Sequence, residues 1–280
     1  MKRVLVAGAT GYLGQFVLQE FKARGYHVRA LARSPEKLDH LRGSVDEIVG
    51  GEVTRPETLE HVCDDIDVVF SSIGITKQRD KLAFRDVDYQ GNVNLLEVAQ
   101  HAGVEKFIYV SVFNGPNLPH LQIVKAHEDF VAVLKTSGMK HAVLRPTGYF
   151  SDMTEFLTMA KRGRVYLIGG GGNRMNPIHG ADLAVCCVDA VEGEYKEIDV
   201  GGPEIITYRE IAELAFRSIG TRPRITEVPV WMMRLATAVT KVANRHQGEL
   251  LAFFFTAMTS DVVAPTTGTQ RLEDYFAGRC

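Results

Sequence analysis

Val4-Leu5-Val6-Ala7-Gly8-Ala9-Thr10-Gly11-Tyr12-Leu13-Gly14 joins a short apolar run to three glycines at three-residue spacing. An amphipathic stretch through Gln15, Phe16, Val17, Leu18 and Phe21 follows at once. The apolar run reads as a buried strand and the stretch after it as a helix. Between them Gly8 permits a tight turn, Gly11 lets a ligand approach the backbone, and Gly14 lets helix and strand pack closely. The first N–H groups of the helix and its positive dipole end then make a cradle for phosphate. The spacing G-x-x-G-x-x-G differs from the commoner G-x-G-x-x-G, and three glycines alone also suit a plain turn. The strand before and the helix after decide for a dinucleotide pyrophosphate cradled between Gly8 and Gly14, with Thr10, Tyr12 and Leu13 beside it.

Outward from this unit, residues 27–31, 47–49, 67–70, 106–110 and 141–144 are further short runs of strand character, separated by helical stretches. Strands apolar on both faces belong to a sheet covered on both sides, so the pattern predicts a doubly wound parallel α/β sheet of the Rossmann type. After Arg145-Pro146-Thr147-Gly148 the alternation weakens, and Gly169-Gly170-Gly171-Gly172 marks a tight turn. The expected division is a nucleotide-binding domain over 1–150 and a smaller, mainly helical lobe over 151–280. A helix after Gly180-Ala181-Asp182 and a strand near Ile198 are expected to return to the main sheet, and Thr207 to Ile219 reads as a helix.

The 280 residues are 45% hydrophobic with a net charge of -2, enough for a sizeable core and without a broad cationic field for nucleic acid. Cys63, Cys186, Cys187 and Cys280 form no Cys-x-x-Cys pair and no zinc-ligand spacing, which suits a reducing cytoplasm and no metal. The N-terminal apolar run is too short for a signal-peptide core or a membrane span. Residues 230–258 are the most hydrophobic part. Arg234, Lys241, Arg245, His246 and Glu249 interrupt them, so two packed helices capping a substrate cleft are expected, ahead of a protein interface, with membrane contact last.

The second strand ends Ala30-Leu31-Ala32-Arg33-Ser34-Pro35, where an NAD-preferring site usually carries a carboxylate against the ribose hydroxyls. A guanidinium at Arg33 pairs instead with a 2′-phosphate, with Ser34 donating a hydroxyl, so NADP(H) is expected over NAD(H). Glu52 and Val53 follow the third strand, and Ser72, Ile73 and Gly74 the fourth. They lie at carboxyl ends, where ligands dock, and are expected to flank adenine and its ribose unless they are ordinary turn residues.

With these residues in place the chain resembles the atypical short-chain dehydrogenase/reductases of the NmrA-like and isoflavone-reductase-like branch. The resemblance is carried by Gly8 to Gly14, Val87-Asp88-Tyr89-Gln90-Gly91-Asn92-Val93-Asn94, Tyr109-Val110-Ser111, Leu144 to Phe150 with its Pro146, and Pro177-Ile178-His179-Gly180-Ala181-Asp182. It covers nearly the whole length. It implies a Ser, Tyr-x-x-x-Lys arrangement, in which Ser111 matches the serine and Lys125 the lysine that also meets the nicotinamide ribose. Leu121 stands at the tyrosine position and cannot exchange a proton.

Three readings follow. A reductase of a small hydrophobic substrate would draw its proton from a desolvated Lys125 or from Tyr149. A non-catalytic NADP(H)-binding redox sensor or assembly factor would meet a protein partner through the C-terminal helices. The third is a bare scaffold. The resemblance also implies Asn92 at the cleft floor. His127 is expected to be solvated, His179 to lie near the cleft and Asp182 to be structural. Tyr149, Phe150 and Met153 are either pocket wall or core.

Overall fold

The computed structural model describes residues 1–75, 82–194 and 196–279. In chain order the first elements are β1 (Arg3–Ala7), α1 (Tyr12–Ala23), β2 (His27–Ala32), β3 (Glu47–Gly50), β4 (Val68–Ser71) and α2 (Asn92–His101). A π-helical turn, Arg85–Gly91, leads into α2. Then come β5 (Lys106–Val110), α3 (Gln122–Thr136), β6 (Lys140–Pro146), α4 (Phe150–Lys161), β7 (Val165–Ile168), β8 (Arg174–Met175), α5 (Gly180–Glu192) and β9 (Glu197–Val200). The last are β10 (Ile206–Thr207), α6 (Tyr208–Ser218), β11 (Ile225–Val228), α7 (Val230–Ala243), α8 (Arg245–Met258) and α9 (Leu272–Ala277). The expected strands are all present, each within two residues of its expected bounds.

The main sheet has the order β3-β2-β1-β4-β5-β6-β9. Every register from β3 to β6 is parallel. β9 joins with the same sense, because Val143 N–H donates to Lys196 at 2.9 Å and Thr147 N–H to Val200 at 3.1 Å. The order reverses between β1 and β4, which opens a crevice at the carboxyl ends of those strands.

The chain divides into two compact units, Met1–Arg145 with Leu183–Ile198, and Pro146–Asp182 with Asp199–Cys280. The boundary thus falls at Arg145. In the first unit alternate strand residues face opposite sides of the sheet. Leu5, Ala7, Leu31, Val69, Phe107, Tyr109 and Val143 form one core with Leu95, Leu96 and Ala99 of α2 and Phe130, Val131 and Leu134 of α3. Helix α1 packs on β1 and β2. Each large apolar side chain buried this way stabilises by about 1.5–3 kcal/mol.

The second unit packs α4, β7, α6 and α9 around Phe156, Leu167, Ile211, Phe216 and Phe276. Thr207 starts α6 with a capping box, its hydroxyl accepting from Glu210 N–H at 3.1 Å. Phe150 and Met153 belong to this core, so the pocket-wall reading of those two residues is replaced. Helices α7 and α8 pack on each other as expected, but Thr237 is the only buried residue of α7, which is therefore no core element. Cys63 and Cys187 are buried free thiols and Cys186 is half-buried; Cys280 lies outside the described residues. Burial raises the Cys63 thiol pKa to about 12, which keeps it protonated and unreactive.

Candidate functional site

All of the glycine loop lies in the first unit. Gly8 has φ +87°, and a Cβ there would stand 2.7 Å from the Ser72 hydroxyl. A Cβ on Gly14 would stand 2.1 Å from the Gly8 carbonyl oxygen and 2.9 Å from the Ala9 Cα. Neither position accommodates a side chain, so the turn is shaped by the absence of Cβ atoms. Gly11 N–H donates to the Gly8 carbonyl at 2.9 Å, and Gly11 caps α1 with no side-chain bond and no acidic residue in the first turn. A pyrophosphate fits such an end: the helix presents donors and a positive dipole, and its first turn carries no carboxylate to repel the anion.

At the end of β2, Arg33 is exposed and Ser34 half-buried, starting the helical turns from Pro35. Gly51 follows β3 with Leu31 and Thr58 so close that a Cβ would meet them at 2.9 and 3.0 Å. The Glu52 carboxylate turns back on its own loop, accepting from the Thr54 hydroxyl at 3.2 Å and pairing with Arg55 at 3.3 Å. Val53 is buried, and its carbonyl accepts from the Asn94 amide at 2.8 Å.

The Ser72–Ile75 loop after β4 is held from beneath. Ser72 N–H donates to the Ala7 carbonyl at 3.1 Å, tying the loop to the end of β1. Buried Asn92 accepts from the Ser71 hydroxyl at 2.6 Å and donates to the Asp88 carbonyl at 2.8 Å and the Ile73 carbonyl at 3.3 Å. The fully buried Asp88 carboxylate accepts from Ile75 N–H, its oxygens 3.2 and 3.3 Å away. The same carboxylate meets His127 Nε2 at 3.1 Å, and His127 Nδ1 meets the Tyr109 hydroxyl at 2.6 Å. A carboxylate only accepts, so the His127 proton facing Asp88 sits on Nε2. Gly74 lies over this chain, where a Cβ would stand 3.2 Å from both Asp88 and His127.

His127 is therefore not the solvated residue expected. It is buried, because it falls on the inward stripe of α3 with Ile123, Phe130 and Leu134. Their spacing, one residue every turn or so, is the signal that would have revealed it. The expected desolvation of Lys125 is also absent. Its side chain is 48% exposed, and its ammonium donates to both oxygens of Asp129 at 2.7 Å, one turn further along the same outward face.

Ser111 follows β5 directly, its hydroxyl donating to Glu128 at 2.7 Å. Glu128 grips Arg145 in a fork, at 3.1 and 2.9 Å, and Arg145 reaches Glu197 at 2.6 Å, which Lys135 also pairs. Burial works against the Arg145 charge, but the bonds to Glu128 and Glu197 outweigh it and raise its pKa. The Lys135 bond, opposed in part by burial and assisted by Arg145, lowers that of Glu197. A hydroxyl has one hydrogen, so Ser111 as it stands is engaged with this network.

Pro146 and Tyr149 lie in the second unit. Pro146 is buried, and Tyr149 starts α4 in a capping box in which its N–H donates to Asp152 at 3.2 Å. In the same unit His179 stacks edge-on between Phe150 and Tyr275, with ring centroids 5.5 and 5.7 Å away. Its Nδ1 accepts from Ala181 N–H at 3.2 Å, and burial lowers its pKa. Asp182 is structural, its carboxylate accepting from Thr269 and Gln270 N–H at 3.0 and 2.9 Å.

A phosphate cradle built without Cβ atoms, at the first strand-to-helix turn of a parallel sheet and beside its point of reversal, defines a dinucleotide-binding protein of the Rossmann type. Residues 8–194 match the NAD(P)H-binding family, and the chain belongs to it. It is 29% identical over 246 residues to the photosystem II assembly factor Ycf39 of Synechocystis sp., a match covering 85% of this chain and 74% of that one. It is 29% identical over 280 residues to a chloroplastic divinyl chlorophyllide a 8-vinyl-reductase of Cucumis sativus, over 91% of this chain but only 64% of the reductase. The chain thus spans less than two thirds of that reductase's length. Its fold is that of an NADPH-dependent quinone oxidoreductase of Escherichia coli in complex with NADPH, with a TM-score of 0.75, 15% identity and 99% of each chain covered. Among the described residues no helix is long and apolar enough to cross a membrane.

Proposed function

We propose that this protein binds NADP(H) and reduces a small hydrophobic substrate. The observation that carries the reading is the glycine turn, where a Cβ on Gly14 would stand 2.1 Å from the Gly8 oxygen and the end of α1 offers its N–H groups to an anion. Gly8, Thr10, Gly11, Tyr12, Leu13 and Gly14 hold the pyrophosphate. Exposed Arg33, with Ser34, holds the 2′-phosphate through charge-assisted bonds. Glu52, Val53, Ser72, Ile73 and Gly74 flank adenine and its ribose, with Ser111, Lys125 and Pro146 toward the nicotinamide end. The bound dinucleotide supplies a hydride. A reductase homologue, the vinyl-reductase, supports a small-molecule substrate.

Lys125 is the protein's proton donor in this reading, and Tyr149 the alternative. An ammonium has three N–H donors, so the Asp129 pair leaves Lys125 able to face a second acceptor. Ser111 can orient a substrate oxygen only by exchanging its bond to Glu128. That engagement, and Leu121 in place of a proton-carrying tyrosine, favours a second reading: a non-catalytic NADP(H)-binding sensor or assembly factor that meets a protein partner.

The test is oxidation of NADPH by the wild type and Lys125→Ala across a panel of quinones, enones and aldehydes. Turnover lost in Lys125→Ala with cofactor affinity retained supports the enzyme and its donor, while turnover kept in that variant moves the assignment to Tyr149. Unequal affinities for NADP+ and NADPH with no turnover favour the sensor. Absence of binding for all four dinucleotides in calorimetry overturns both.

A further inference from the structure

Helix α7 displays an apolar face to solvent that the fold does not use. Trp231 is 65% exposed, Leu235 59%, Val239 60%, Val242 91% and Met232 46%. At about 100° per residue these five side chains fall within an arc of roughly 100° along the full length of the helix. Thr237, on the opposite side, is the buried residue of α7. Helix α8 covers that inner side closely: a Cβ on Gly248 would stand 2.5 Å from Lys241 backbone atoms, and Lys241 pairs with Glu249 at 3.1 Å. The outward stripe is therefore what remains after the helical hairpin has packed.

Charge is distributed to match. Residues 230–258 carry Arg234, Lys241 and Arg245 against the single carboxylate of Glu249, which Lys241 already pairs. The hairpin is thus cationic, at +2 with histidine neutral, in a chain whose net charge is -2. Helix α7 holds no acidic residue. Arg234 lies on the flank, about 60° outside the apolar arc and one turn from Trp231, where a head group would meet it.

From the exposed stripe, its tryptophan and the cationic flank together, we infer that α7 docks flat onto an anionic lipid surface, its apolar arc in the head-group and acyl boundary. At about 1.5 Å per residue its 14 residues span roughly 21 Å, short of the ~30 Å hydrocarbon core, so the helix lies in the interface plane and does not cross. Arg234 and Arg245 face the lipid phosphates as cations.

The full chain provides its own reporter, because Trp231 is its only tryptophan. The protein is mixed with vesicles of phosphatidylcholine alone, or of equal parts phosphatidylcholine and phosphatidylglycerol, and then sedimented. The expected result is sedimentation with the anionic vesicles only and a blue shift of Trp231 emission. Leu235→Glu/Val239→Glu is expected to lower partitioning at least about tenfold. Arg234→Gln and Arg245→Gln are expected to lower it about fivefold each. These side chains are exposed, so thermal midpoints stay at the wild-type value and loss of binding is not loss of folding. No sedimentation of wild type with anionic vesicles overturns the inference, as does equal binding by the double Glu variant. A wild-type dimer in solution that the double Glu variant converts to monomer, without vesicle binding, assigns the face to a second copy instead.

Discussion

Asp88→Ala removes the acceptor on which the Ser72–Ile75 loop and His127 both depend. In the native chain the fully buried carboxylate accepts from Ile75 N–H and from His127 Nε2. Alanine leaves two buried donors without partners, at about 1–3 kcal/mol each, and adds a small void beneath Gly74. The expected loss is about 3–5 kcal/mol, the range seen when one partner of a buried polar pair is deleted. At about 2–4 °C per kcal/mol the melting midpoint of the first unit falls by roughly 6–20 °C. Asp88→Asn keeps the volume and one acceptor oxygen, so its loss is about 1–2 kcal/mol. Far-UV circular dichroism on heating follows the helices of both units and Trp231 fluorescence the second alone, so the part of the circular dichroism transition that the fluorescence does not share reports the first. An Asp88→Ala protein melting within about 2 °C of wild type, or no more stable an Asn than Ala variant, refutes the chain of bonds as the support of the loop.

Arg33→Asp is expected to weaken NADPH binding about tenfold more than NADH binding, the low end for a charge-assisted bond because the guanidinium is exposed. Equal losses in calorimetry remove Arg33 from the 2′-phosphate. Gly14→Ala forces a Cβ to 2.1 Å from the Gly8 oxygen, and the backbone shift is expected to cost at least about 2 kcal/mol and to weaken dinucleotide binding; an unchanged melting curve and affinity contradict this. Burial lowers the His179 pKa from its ordinary 6.5, so the unfolded chain takes up the proton first as pH falls. The contribution of His179 to stability is therefore full above about 6.5 and declines as pH drops through the lower folded value. An NMR titration of the ring with a midpoint at or above 6.5 contradicts that order.

Much of the fold was legible because its signals are local. The run Val4 to Ala7, the glycines at 8, 11 and 14, and the periodic apolar positions of α1 sit side by side in the chain, and together they demand a strand, a turn without Cβ atoms and a helix. The arginine where an NAD-preferring site usually carries a carboxylate is equally local, as is Leu121 at the position where the resemblance implies a tyrosine. Repetition of the strand-helix pattern then implies a parallel sheet, since a helical crossover returns the next strand in the same direction.

Tertiary structure alone decided what each polar side chain meets. Asp88, Tyr109 and His127 belong to three elements, and no spacing in the sequence declares that they share one buried chain of hydrogen bonds. Ser111 stands directly after its strand, yet only the fold brings Glu128 and Arg145 to it and engages its one hydrogen. Lys125 is a step away from the buried stripe of α3, and that rotation about the helix axis sets it in solvent with Asp129. On α7 the apolar composition was plain, but composition does not say which side of a helix its neighbour covers. Helix α8 took the side of Thr237, leaving Trp231, Leu235, Val239 and Val242 in water, because packing is a relation between elements while hydropathy belongs to one segment.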